Sequence, residues 1–186
     1  MKNTLDAKIK LLSWLCLALV IIHVVNTSLQ GALASFGIFP GKATTLPYIF
    51  TAPFIHGSWG HLINNLFGLS IFSALCLLRS TRFYLRCSVF IIILTGVLVW
   101  LFGRQAVHIG ASGWIFGLWS LIISMAWFER RFVNIVIALF VVFFYGGMVW
   151  GVLPSNAEIS FESHLFGAIA GIACAYLYSR NKKRFT

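Results

Sequence analysis

Six runs of roughly 20 apolar residues, separated by short polar joints, constrain this chain more than anything else in it. They fall at about Leu11–Gln30, Gly60–Leu78, Leu85–Phe102, Ala111–Phe128, Phe132–Trp150 and Ser163–Tyr178. A run of that length matches the ~30 Å hydrocarbon core of a bilayer. Inside hydrocarbon a backbone satisfies its polar groups only within helices or a closed barrel. Only 10% of the 186 residues are charged, against about 25% in a soluble domain. The expected fold class is therefore all-α: a polytopic membrane protein of six transmembrane helices, in one domain over residues 1–186 with no soluble domain. The first run is too long for a cleaved leader and lacks a small-x-small exit, since it ends in Asn26-Thr27-Ser28-Leu29-Gln30.

The formal net charge of +10 invites a nucleic-acid reading, but its distribution argues against one. Lys2, Lys8 and Lys10 precede the first run. Arg79, Arg82 and Arg86 join the second to the third, Arg130 and Arg131 the fourth to the fifth, and Arg180, Lys182, Lys183 and Arg184 follow the sixth. In a six-span topology these all lie on one face, with only Lys42 and Arg104 on the other. The positive-inside rule then puts both termini in the cytoplasm, and the basic tail reads as a topology signal facing anionic lipid. No nucleic-acid partner is expected. The four cysteines, Cys16, Cys76, Cys87 and Cys174, have no CxxC or metal-ligand spacing and read as buried free thiols.

With the N-terminus inside, the second, fourth and sixth spans all start at the outer face. The second is entered through His56, His61, Asn64 and Asn65, the fourth opens on Gly110-Ala111-Ser112-Gly113, and the sixth opens on His164. The rare polar residues of the spans therefore share one shallow layer, and polar groups at membrane depth face a cavity or one another. Gly113 and Gly117 on the fourth span, and Gly167 and Gly171 on the sixth, make small-xxx-small steps that let helix backbones approach closely. His23 and His108 read as ordinary interfacial polar residues.

A serine hydroxyl becomes a nucleophile when a base takes its proton. His164 is the best-placed base for Ser112. The chain has four acids, Asp6, Glu129, Glu158 and Glu162, and none is placed to orient that histidine. The expected unit is thus a Ser–His dyad whose imidazole is steadied by stacking on Phe116, one turn after Ser112. Donors for a developing oxyanion would be His61 and Asn65, on one face of the second span, and the Ser112 amide. Each residue also has a commoner role: a serine at a helix start is a cap, a lone histidine a structural polar group, an asparagine interhelical glue. No HExxH occurs, and no span contains an aspartate, which removes zinc and aspartyl proteolysis.

These residues resemble the rhomboid family of intramembrane serine proteases. Gly110-Ala111-Ser112-Gly113 matches its GxSG, the run from His164 through Gly167 to Gly171 its HxxGxxxG, and His56, His61 and Asn65 its HxxxxHxxxN. The resemblance implies that Ser112 is the nucleophile and His164 the base, and that His61, Asn65 and the Ser112 amide form the oxyanion hole. His56, Gly110, Gly113 and Phe116 would line the site, without metal or cofactor. It further implies substrates that are single-span or otherwise membrane-anchored proteins, cut near the outer face of a bacterial inner membrane. The outer end of the fifth span (Phe143, Phe144, Tyr145, Met148 and Trp150) would act as gate, loosened by Gly146 and Gly147, with the loop from Gly151 to Phe161 as cap. Two departures stand out: the first loop lacks the family's Trp-Arg pair, and phenylalanine replaces the usual tyrosine at position 116. The rivals are a silent rhomboid-like protein that binds clients and a small transporter. The prolines at 40, 47, 53 and 154 all fall outside the spans, which disfavours the transporter.

Overall fold

The computed structural model describes residues 2–154 and 160–183 of the chain. It is an all-α bundle of six long helices: α1 Lys2–Ser28, α2 Trp59–Arg79, α3 Thr81–Phe102, α4 Ser112–Glu129, α5 Phe132–Tyr145 and α6 Phe161–Lys183. Local chemistry sets several of the ends. Ser58 caps α2 by accepting the His61 N–H. Ser80, in extended conformation, ends α2 and at once caps α3 by accepting the Phe83 N–H, so the two helices are joined by a single residue. Arg130, in the left-handed region at φ 50°, turns the chain from α4 into α5.

Several boundaries differ from the expected spans; α3 starts at Thr81 and not at Leu85, and α6 runs to Lys183, past Tyr178. α1 starts at Lys2, well before the apolar run at Leu11. The fifth span is α-helical only to Tyr145 and tightens into a 3-10 helix over Gly146–Val152. By length and composition α1, α2, α3 and α5 with its 3-10 extension can each cross a membrane. α4 and α6 are inner helices, richer in glycine, serine and alanine. α4 is buried along most of its length, and its contact with α6 is the most extensive in the bundle.

Glycine makes that contact possible. A Cβ on Gly167 would lie 2.1 Å from the Gly113 carbonyl oxygen, and one on Gly171 would lie 2.0 Å from that of Gly117. The two small-xxx-small steps thus face each other, backbone on backbone. Ser120 Oγ reinforces the pair by donating to the Ala168 carbonyl at 2.8 Å.

α1 and α2 are linked by three short 3-10 helices, at Ala32–Phe36, Ala43–Phe50 and Ala52–Phe54. This loop is tied to the α3–α4 connection by reciprocal backbone hydrogen bonds between Ile38 and His108. The N-terminal ends of α2, α4 and α6 lie at this end of the bundle. At the opposite, basic end, Arg79 and Arg131 converge on the buried Glu129 carboxylate, which also accepts from Asn134.

Candidate active site

The starts of α2, α4 and α6 surround one cavity of about 850 Å³, lined by His61, Asn65, Ser112, Phe116, Tyr145 and His164 among others. The four residues singled out for chemistry therefore meet at a single space.

Ser112 is the first residue of α4, and the cap position falls on Ala111 with no side-chain capping bond. The hydroxyl is not consumed by the helix end, which sets aside the ordinary role of a serine there. Gly110, at φ 111°, brings the strand of chain before Ser112 against α2: a Cβ at this position would sit 2.6 Å from the His61 ring. Only glycine serves both the backbone angle and the close approach.

His164 is fixed from two sides. Its ring stacks on Phe116, with centroids 4.1 Å apart and planes 6° from parallel. Its Nδ1–H donates to the Gly151 carbonyl at 2.9 Å. A carbonyl can only accept, so this bond sets the tautomer and leaves Nε2 as the basic nitrogen. The stack on Phe116 was legible in the sequence; the carbonyl was not. Glu162, two residues away, is turned aside into an ion pair with Arg104 at 3.5 Å. Among the described residues no hydrogen bond joins Ser112 Oγ to His164; the two line the same cavity from α4 and α6.

The Asn65 side-chain nitrogen is buried and has no partner among the described residues. An unpaired buried donor is costly, and at a cavity wall it is available to an incoming oxygen. His61 stands one turn earlier on α2. His56 is wholly buried, with its Nε2 3.5 Å from the Ala111 amide nitrogen and its ring edge-on to His61 at 5.0 Å. Burial first, and His61 second, hold the His56 imidazole down at about 4, so it is neutral at neutral pH.

Two histidines read as ordinary interfacial polar residues are buried and make specific bonds. His23 on α1 donates from Nδ1 to the His56 carbonyl at 3.1 Å, and Asn26 donates to the same oxygen at 3.2 Å. Asn26 also accepts the Leu33 N–H at 3.0 Å. α1 thereby holds the segment that enters α2. His108 bonds to Ser160 at 2.6 Å and to the Arg104 carbonyl at 3.0 Å, fastening the α3–α4 connection to the start of α6. Neither role carries a local sequence signal.

The candidate gate divides. Tyr145 and Met148 line the cavity. Phe143, Phe144 and Trp150 do not; they are exposed on the outer surface of the bundle. Of the expected cap, residues 155–159 lie outside the described residues, while Gly151 supplies the acceptor for His164.

The Rhomboid domain matches residues 43–181. An uncharacterized protein of Mycobacterium tuberculosis is 33% identical over 175 residues, covering 89% of this chain and 73% of that one. An uncharacterized protein of Mycobacterium leprae is 30% identical, covering 89% of this chain and 69% of its own length. A chloroplastic protein of Arabidopsis thaliana named rhomboid-like protein 11 is 33% identical over 153 residues, 70% of this chain and 51% of the plant protein.

Proposed function

This chain belongs to the rhomboid family, and we propose that it is an intramembrane serine endopeptidase with a Ser112–His164 dyad. Its substrates are single-span or otherwise membrane-anchored proteins. The basic end of the bundle faces the cytoplasm of a bacterial inner membrane, and the cavity opens near the outer face.

His164 Nε2 takes the proton as Ser112 Oγ attacks the scissile carbonyl. The resulting imidazolium keeps its Nδ1–H on the Gly151 oxygen and its face on Phe116, which together stand in for the absent carboxylate. Negative charge on the substrate oxygen is met by the Asn65 amide, His61 and the Ser112 N–H, reinforced by the N-terminal dipole of α4. His164 then returns the proton to the leaving amine, and water releases the acyl group by the same route. The observation that carries this reading is the doubly fixed His164 ring sharing a cavity with an uncommitted serine. A set tautomer alone also occurs in the structural His23; what distinguishes His164 is the uncommitted Ser112 lining the same cavity.

Labelling of the purified protein with a fluorophosphonate, beside Ser112→Ala and His164→Ala, tests it. Labelling that disappears in both variants is the expected result. A silent, client-binding rhomboid-like protein is the rival, favoured by the missing Ser112–His164 hydrogen bond. Unlabelled, well-folded wild type that also fails to cut a single-span reporter would establish that rival.

A further inference from the structure

A second cavity, of about 380 Å³, lies at the basic end of the bundle. Its floor is α4 (Ile122, Met125), its walls are α2 (Leu75) and α5 (Ile137), and Arg79 and Arg131 stand at its mouth. It shares no lining residue with the site cavity. Between the two, Phe72 of α2 and Tyr145 of α5 meet edge to face at 5.3 Å. We propose that this groove binds an anionic phospholipid, with the phosphate at Arg131 and one acyl chain along the apolar wall.

Shape selects the occupant first. On α5 the groove runs from Arg131 to Ile137, which is about 9 Å of helix, roughly a third of the hydrocarbon thickness. The Phe72–Tyr145 contact closes it beyond that depth. A spanning helix needs a continuous face from one side of the bilayer to the other, and this groove does not offer one. An acyl chain entering from a single leaflet reaches at most about 15 Å, and the headgroup-proximal part of such a chain fits this depth.

Charge selects the headgroup. Arg79, Arg82, Arg86, Arg130 and Arg131 gather at this end against the Glu129 carboxylate and the exposed Asp6 of α1. Arg79 is committed to Glu129 and lies over the Phe83 and Tyr178 rings. Arg131 reaches Glu129 only through Nε at 3.8 Å, and its side chain is 61% exposed. Beside it α5 begins without a side-chain cap, so the first-turn amides add partial positive charge where a phosphate would sit. A basic pocket between helices at one membrane face favours anionic over zwitterionic headgroups. This inference rests on the membrane fold and not on the chemistry of Ser112.

The test is native mass spectrometry of the full chain released from detergent, with phosphatidylglycerol and phosphatidylcholine of identical chains added in equal amounts. One phosphatidylglycerol should be retained in preference. Arg131→Gln should weaken that retention about fivefold, the effect of one arginine near a membrane surface, and Ile122→Trp should fill the groove and abolish it. Arg82→Gln, on the exposed side of α3 outside the groove, should change nothing. If Ile122→Trp does not fold, Val133→Trp on the rim, at a position 64% exposed, gives the same reading. Equal retention of the two lipids overturns the proposal. So does an Arg82→Gln effect as large as that of Arg131→Gln, which would mean diffuse attraction. A dimer that Ile122→Trp dissociates would assign the groove to a second copy of the chain and overturn it as well.

Discussion

Gly151→Ala isolates the orientation of the base from the stability of the fold. Gly151 is not among the residues with positive φ, so alanine adds no backbone strain. The new Cβ would lie 2.7 Å from Phe116 Cζ and 3.5 Å from His164 Nδ1. The ring must therefore retreat by ~0.7 Å to reach ordinary van der Waals contact. Phe116 Cζ is the far end of a side chain, so the bundle yields there at little cost. Yet that ring is what His164 stacks on at 4.1 Å, and a displacement near 1 Å in a reacting group costs about 100-fold. The second-order rate of fluorophosphonate labelling should fall about 10- to 100-fold while the thermal midpoint hardly moves. Adding Phe116→Leu removes the colliding ring atoms. The double variant should then lose less than the product of the two single losses, because the substitutions act through one contact. Wild-type labelling in Gly151→Ala, or multiplicative losses in the double variant, would refute the idea that Gly151 and Phe116 jointly fix the imidazole.

Asn65→Ala should lower labelling and peptide cleavage by about 10²–10³ while leaving measurable activity, since one oxyanion donor is removed and others remain; complete loss with intact folding would place Asn65 elsewhere in the mechanism. Gly167→Ala puts a Cβ 2.1 Å from the Gly113 carbonyl oxygen, where backbone cannot yield locally, so α4 and α6 must separate. Overpacking of this kind costs about 1–3 kcal/mol, and thermal unfolding in detergent should show it together with loss of labelling. His56 predicts an acid transition. The unfolded chain takes up this proton near 6.5 and the folded one near 4. Stability should thus be flat in this group above pH 6.5 and fall as pH drops toward 4, by about 3 kcal/mol over the interval. His56→Gln should flatten that part of the curve, and an unchanged acid profile would show that another group is responsible.

The sequence exposed what depends on side-chain identity and on helical direction. The facing glycines, the serine and histidine at helix starts and the polar face of α2 all follow from residue type and from which spans begin at the same membrane face. What it concealed depends on backbone groups or on long-range contact. Gly151 orients His164 through a carbonyl that every residue possesses. His23 and Asn26 act on the His56 carbonyl from a helix some 30 positions earlier, and nothing local distinguishes them from polar residues at an interface. The gate shows an intermediate case. Tyr145 and Met148 face inward while Phe143, Phe144 and Trp150 face out. Tyr145 and Met148 are three apart and so share one side in either helix type. Grouping all five by their place at the end of the span, and not by face, hides this division.

Packing also assigns different mechanical roles to the helices around the site. α4 and α6 carry Ser112 and His164 and are held backbone to backbone through four glycines, so their separation resists adjustment in either direction. α5 leans chiefly on α4 and meets α2 through the Phe72–Tyr145 rings, with a cavity on either side of that contact. One ring pair of this kind contributes about 0.5–1.5 kcal/mol beyond its buried area, far less than the packed α4–α6 face. Under the proposed protease function, a segment entering from the bilayer would meet the least resistance between α2 and α5, and Ser112 and His164 would stay on the pair of helices that cannot follow it.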